Sequence, residues 1–358
     1  MNILQQTLEL VQIPSPTRHE EALCNYIEQW VNQTLECVPC LRKRHSLLVY
    51  PPQRAGVPTI GLFGHIDTVP ADPEQPLAIQ KGRLYGCGSS DMKGGVALMM
   101  AALEAYEDLN CNLVAVFYDR EEGPDAENGM HLFIDELPPM DLAICLEPTN
   151  NVISAGCMGG LHATVTFEGK RAHSATPWQG QNAIYRALPL LAQLRDKPRR
   201  EVEIDGLTFY EVASTTMAHT ENAANIVPDK FALNVNMRFA PGRTPAQALQ
   251  ELEELVGDMA SIEVRDACAS GAVCLDHPLV QQWIEHCSLQ VAPAQFWTDL
   301  ARLTEKGIPT INFGPGDPAR AHQAVEWIDE EALTTGRDLL FSLMKEVCQP
   351  LVDEDFDA

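Results

Sequence analysis

Apolar and polar positions along the chain fall into blocks of two kinds. Residues 2–13 and 19–34 read as helices, the first of them amphipathic, and short apolar runs at 46–50 and 59–64 read as strands. A helix is expected over about 92–107, with further strands at 112–118 and 141–146. The run Leu113-Val114-Ala115-Val116-Phe117 is apolar without interruption, as in a strand covered on both faces. Helices alternating with such strands predict an α/β layer fold with a largely parallel sheet, and ligands of such sheets gather at the carboxyl ends of the strands.

From about residue 157 the pattern changes. Phe231, Leu233, Val235, Met237 and Phe239 alternate with Ala232, Asn234, Asn236 and Arg238, the period of a strand with one buried face. Strands are expected at 161–167 and 209–217 and helices at about 181–195 and 244–257, together a small two-layer α+β domain. After Cys274 the α/β character returns, ending in a helix over about 329–347 and an acidic tail, 353–358, expected to fray. The predicted fold is α/β: a mixed, largely parallel sheet flanked by helices, built from residues 1–156 and 271–358, with residues 157–270 inserted as a second domain. A length of 358 residues suits one large domain and one smaller.

Composition narrows the partners. Fifty acidic against 25 basic residues give a formal charge of -25, which argues against nucleic acid and anionic membranes, since both need a clustered basic surface. Arg42-Lys43-Arg44 and Lys197-Pro198-Arg199-Arg200 are short and read as solvated faces. No run approaches the roughly 20 apolar residues of a membrane span, and the amino terminus has neither a basic region nor a cleavage site, so a cytoplasmic protein is expected. Eleven cysteines scattered through apolar segments fit reduced thiols. Cys37 and Cys40 have the spacing of a redox or zinc pair, but no second such pair exists and no metal role is assigned to them.

The candidate chemistry sits at strand ends. GHIDTVP (64–70) closes the run Thr59-Ile60-Gly61-Leu62-Phe63, so His65 and Asp67 leave the sheet at one edge. YGCGSSDMKGG places Asp91 where a glycine-rich turn enters a helix, VFYDREEG sets Glu121 and Glu122 after a buried strand, and ICLEPT does the same for Glu147. Taken singly, Asp91 could cap a helix, the glutamates could line a solvated turn, Glu147 could open a loop, and His65 could be a satisfied histidine. Their recurrence at successive strand ends of one sheet points instead to a metal site. Adjacent glutamates make sense there if one ligates and its neighbour takes a proton from water. Two divalent cations would balance three carboxylates and a hydroxide, which makes burial of the group tolerable.

These motifs, with NFGPGDPARAH (312–322), RAHSATPWQGQNAI (171–184) and NIVPDKFALNVNMRF (225–239), resemble in order the set of the M20 family of dinuclear metallohydrolases, over nearly the whole chain. The resemblance implies two divalent ions, zinc with cobalt or manganese as substitutes: His65 and Glu147 on one, Glu122 and His322 on the other, Asp91 bridging. Glu121 would act as general base and then acid, and Asp67 would orient the His65 ring. The family often has an acidic pair after the last histidine, where this chain has Val325-Glu326 with one acid. The inserted domain would be a lid and the contact of a homodimer, with His173 reaching the partner subunit's site to stabilise the oxyanion.

Glutamate at 147 resembles the deacylases and carboxypeptidase-like members. EVEIDGLTFYE, NMRFAPGR and FWTDLARL resemble the actinobacterial-type succinyl-diaminopimelate desuccinylases within the family. The implied substrate is a small anionic N-acyl amino acid, N-succinyl-LL-2,6-diaminopimelate, met by Asn225, Arg238, Arg171, Thr298 and Arg302, since guanidinium forks suit carboxylates. For Arg302, pairing with Asp299 on a helix face is the alternative. Acetylornithine deacetylase, a dipeptidase or a catalytically inert binding protein are the competing functions, the last disfavoured because no ligand or base is missing.

Overall fold

The computed structural model describes residues 2–349, so the acidic tail lies outside the described residues. The chain forms two compact units. The first comprises the chain up to Gly156, Ala272–Pro293 and the chain from Thr298; the second comprises Cys157–Gly271 and Ala294–Trp297. The expectation that everything after residue 271 belongs to the first unit therefore misses one segment. Gln295 and Trp297 bond into the second unit: Gln295 Nε2 donates to Tyr210 O (2.6 Å) and Trp297 Nε1 to Ala269 O (3.1 Å).

The first unit is built on an eight-stranded mixed sheet. Its order is Cys40–Lys43, Ser46–Val49, Asn112–Tyr118, Thr59–His65, Leu142–Cys145, Thr310–Asn312, Ile153–Ala155, Val291–Pro293. Thr59–His65 runs parallel to both Asn112–Tyr118 and Leu142–Cys145. These central strands bury almost every side chain, which is why they read as continuous apolar runs rather than alternating ones. One face is covered by Ile3–Val11, Gly94–Glu104 and Glu330–Ser342, whose apolar residues join Leu62, Leu113, Ala115, Phe117 and Ile144 in one core. A small antiparallel sheet pairs Arg83–Tyr85 with Trp327–Asp329, bringing the segment after His322 beside the turn that carries Asp91.

The second unit holds a five-stranded antiparallel sheet ordered Arg200–Ile204, Leu207–His219, Lys230–Phe239, Gly159–Glu168, Ser261–Cys268. The alternating residues of Lys230–Phe239 bury Phe231, Leu233, Val235 and Met237 against Leu190, Leu194, Ala248, Leu252 and Val256 of the helices. The single helix expected over 181–195 is two, Ala183–Arg186 and Leu188–Asp196. Pro189 stands in the first turn of the second, where its missing N–H costs nothing but cannot continue a preceding helix. The basic triplet at 42–44 is no solvated face: Arg42 pairs with Glu28, Lys43 with Glu136, and Arg44 with the fully buried Asp119.

Candidate metal centre

Parallel register puts the site together. His65 ends its strand opposite Tyr118, Glu121 and Glu122 follow Tyr118 by three and four residues, and Glu147 follows Cys145 by two. The turn before Gly94–Glu104 brings in Asp91 from the helix side, and His322 enters from the loop after Pro318–Arg320.

A continuous row of contacts runs through these residues. Glu147 Oε2 lies 3.9 Å from His65 Nε2, and His65 Nε2 lies 3.2 Å from Asp91 Oδ1. The other oxygen of Asp91 lies 3.6 Å from His322 Nε2, which is 2.8 Å from Glu122 Oε1. Asp91 thus turns one oxygen to each histidine, as a bridging carboxylate must. His65, Asp91 and Glu122 each place a donor atom within 4.8 Å of the others, as a metal-binding group requires.

The donors fit a cation on three further counts. His65 Nδ1 donates to the Asp67 main-chain oxygen at 2.9 Å, and because a carbonyl only accepts, that nitrogen carries a proton and Nε2 is the one turned to the carboxylates. Glu147 is buried and its Oε1 has no hydrogen-bond partner. Among the described residues, no lysine or arginine pairs with Asp91, Glu121, Glu122 or Glu147. Burial, reinforced by Asp91, Asp299 and Glu122 and opposed by His65, pushes the Glu147 carboxyl up to about 8. Burial also holds Glu121 well above the ordinary carboxylate range, with His65 opposing and Glu147, Asp299 and Glu122 adding. Crowded carboxylates short of positive charge are what a metal cation relieves.

Asp67 has two tasks. Its carboxylate is 3.6 Å from His65 Nδ1, beyond hydrogen bonding, so its main-chain oxygen aims the ring. The carboxylate, fully buried, accepts from the N–H groups of Glu121 (2.9 Å) and Glu122 (3.1 Å) and from Thr17 Oγ1 (3.0 Å). It therefore locks the turn bearing the glutamate pair to the strand end bearing His65. Glu326, the lone acid after the last histidine, is buried and accepts from the N–H groups of Gly88 (2.7 Å), Ser90 (2.7 Å) and Asp91 (2.9 Å), holding the turn that presents Asp91. Asp119 accepts from both Arg44 and Ser46 and anchors the start of the Glu121 turn. Sequence reasoning assigned no role to Asp119 or Thr17. The only signal for Glu326 was its position as an isolated acid after His322.

Thr298 and Arg302, expected to contact substrate, are built into the first unit instead. Thr298 is buried and donates to Asn312 Oδ1 (2.9 Å). Arg302 donates to Asp299 (2.5 Å) and Asp125 (2.6 Å), and buried Asp299 also accepts from Asn128. Asp299, the partner in the helix-face alternative, and Asp125 both hold that guanidinium, and its Nη1 lies 3.0 Å from His131 Nε2. In the second unit His173 is exposed, faces Ile226 in a two-stranded pair, and Ser174 N donates to Asn225 O at 2.9 Å, so His173 and Asn225 are neighbours. Arg171 pairs loosely with Asp229 at 3.3 Å on an exposed surface, and Arg238 has no carboxylate partner among the described residues. All eleven cysteines are free thiols. No helix of the described residues is long and apolar enough to cross a membrane.

Comparison with known proteins places this geometry. The chain is 35% identical to a succinyl-diaminopimelate desuccinylase of Corynebacterium glutamicum, covering 95% of each. It is 28% identical to an acetylornithine deacetylase of Edwardsiella ictaluri, over 92% of this chain and 91% of that protein. Its fold matches that of an M20 family metallo-carboxypeptidase from Sulfolobus solfataricus with a TM-score of 0.81 at 18% identity, over 98% of this chain and all of that one. Residues 61–346 match the model of peptidase family M20/M25/M40, and the chain belongs to that family of hydrolases.

Proposed function

We propose that the protein is a dinuclear metal-dependent amide hydrolase that converts N-succinyl-LL-2,6-diaminopimelate and water to LL-2,6-diaminopimelate and succinate, a step towards lysine. The observation that carries the reading is Asp91 facing His65 with one oxygen and His322 with the other, flanked by Glu147 and Glu122, while Glu121 stays uncommitted beside them. The relative from C. glutamicum, similar along the whole chain, supports the choice of substrate.

His65 and Glu147 would hold one ion, His322 and Glu122 the other, and Asp91 both. Imidazole and carboxylate donors suit zinc, with cobalt or manganese as substitutes. When bound, the ions supply Lewis acidity to the amide carbonyl and the attacking water. Glu121 takes a proton from that water as the new C–O bond forms, then returns it to the leaving nitrogen as the C–N bond breaks. Arg238, free of acidic partners, and Asn225 are candidates for the carboxylates and polar groups of the substrate, with Arg171 as a further cation. His173 would donate to the oxyanion across a homodimer formed through the second unit, in a cytoplasmic enzyme.

Acetylornithine deacetylase activity is the second reading, favoured by the similarity to the E. ictaluri protein. Both substrates present an amide to the same groups and differ in acyl and side-chain pockets, so relative kcat/KM separates them. The test is a side-by-side assay of succinyl-diaminopimelate, acetylornithine and a dipeptide with zinc-loaded protein, together with metal analysis. Two ions per chain, loss of turnover on chelation and preference for the succinyl substrate are expected. Full activity in metal-free protein would sink the metal reading, and preference for acetylornithine would sink the substrate assignment.

A further inference from the structure

Tyr118 ends the central strand next to that of His65, and nothing in the mechanism above uses it. The residue is completely buried, yet among the described residues its hydroxyl has no hydrogen-bond partner. Buried tyrosine hydroxyls nearly always find one, and phenylalanine would fill the same space without leaving a polar atom unpaired.

Register says what the hydroxyl faces. Tyr118 stands opposite His65 in the parallel pair, and their rings meet edge to face at 6.4 Å between centroids. On the other side of the His65 strand, Cys145 is opposite Phe63, and Leu146 N donates to Phe63 O, so two residues on Glu147 comes level with His65. Tyr118, His65 and Glu147 therefore form one row across three strands. After burial itself, Asp299 and Glu147 are the groups whose charge bears most on the phenol. Asp299 already accepts from Arg302 and Asn128. Glu147 Oε1 has no donor at all. One buried donor without an acceptor and one buried acceptor without a donor stand in the same row.

We propose that Tyr118 is a positioning residue of the metal centre: its hydroxyl donates through one water to the free oxygen of Glu147 and fixes the orientation in which that carboxylate meets its ion. The inference rests on the metallohydrolase reading. Fixing a ligating carboxylate by a neighbouring donor typically changes metal affinity about 10- to 100-fold.

The experiment is Tyr118→Phe, which removes only the hydroxyl. Zinc is titrated into metal-free wild type and variant against a chromophoric chelator, and thermal unfolding of both metal-free proteins is recorded. The expected result is that one of the two dissociation constants rises about tenfold, the other stays within twofold, metal-free Tm does not fall, and kcat drops with little change in KM. Two unchanged dissociation constants would overturn the role of Tyr118 while leaving the metal reading intact. A general weakening accompanied by a lower Tm would assign the hydroxyl a merely structural part and overturn it as well. A wild type that binds no zinc would remove the metal reading and this inference together.

Discussion

Asp67→Asn is the substitution that separates the two tasks of the residue. The carboxylate has no exposure and receives three donors, with Glu121 N on Oδ1 and Glu122 N and Thr17 Oγ1 on Oδ2. Asparagine keeps the shape but turns one terminus into a donor. Whichever oxygen is replaced, a main-chain N–H then faces an NH₂ group; the Thr17 hydroxyl can rotate to accept, whereas an N–H cannot. Losing one hydrogen bond to a buried charged acceptor costs about 1.5–3 kcal/mol, and the unpaired N–H brings the total to roughly 2–4 kcal/mol. The turn that shifts to relieve this contact carries Glu121, and displacing a catalytic group by about 1 Å costs on the order of 10²-fold in rate. The main-chain oxygen that holds the His65 ring survives, so metal should stay bound. Purified Asp67→Asn should therefore show a lower Tm, a kcat reduced about 100-fold and near-normal metal content by elemental analysis.

The pH dependence of the same variant follows from its sign. Burial alone would raise the Asp67 pKa, but the nearby imidazole of His65, with the N–H groups of Glu121 and Glu122, holds it below its ordinary 3.8. A depressed carboxylate contributes its stability fully above its unfolded pKa and loses it as the pH falls through the folded value. The gap in stability between metal-free wild type and Asp67→Asn should accordingly narrow on acidification below about pH 4. Activity within threefold of wild type would refute the argument that the carboxylate sets the Glu121 turn. Loss of metal with the turn intact would show that the carboxylate, and not the main-chain oxygen, aims His65.

Glu121→Gln should lose about 10²- to 10⁴-fold in kcat with metal retained, whereas Glu122→Gln should lose metal as well; the reverse pattern in metal analysis would exchange their roles. His173→Ala and Glu121→Ala should each be nearly inactive, and mixing them under subunit exchange should restore about a quarter of wild-type activity if His173 serves the opposite subunit of a two-fold dimer; no recovery despite proven exchange would end that idea. Lys93 is 1% exposed and burial lowers its pKa from 10.5 to about 8, so its charge costs up to about 3 kcal/mol below pH 8, less up to pH 10.5 and nothing above. Lys93→Met should be the more stable protein at pH 7, by chemical denaturation, with the advantage gone by pH 10.5; a gap independent of pH would contradict this.

Much of the fold was legible because the elements that carry it are long and regular. The uninterrupted run from Leu113 to Phe117 and the strict alternation from Phe231 to Phe239 identify a strand buried on both faces and one buried on a single face, as the structure has them. The pieces that escaped are short or depend on distant partners. The strands Arg83–Tyr85 and Trp327–Asp329 are three residues each and exist because they pair with one another across the chain. Ala294–Trp297 carries no local mark of joining the second unit; that comes from bonds to Tyr210 and Ala269.

At the site the limit is chemical. Aspartate and glutamate at strand ends look alike in a sequence whether they bind an ion or hold a turn, and the structure separates them by what reaches their oxygens. Asp67 takes two N–H groups and a hydroxyl, Glu326 three N–H groups, Asp119 a guanidinium and a hydroxyl, and Asp299 a guanidinium and an amide. These four are anions already compensated by fixed donors, and a cation would gain little from them. Among the described residues the side chains of Asp91 and Glu122 meet only histidine, and Glu147 turns Oε2 to His65 Nε2. Saturation by protein donors thus marks the acids that brace the site, and its absence marks those left for metal. Residue type and spacing cannot report it, because the donors are main-chain groups and side chains supplied by other parts of the fold.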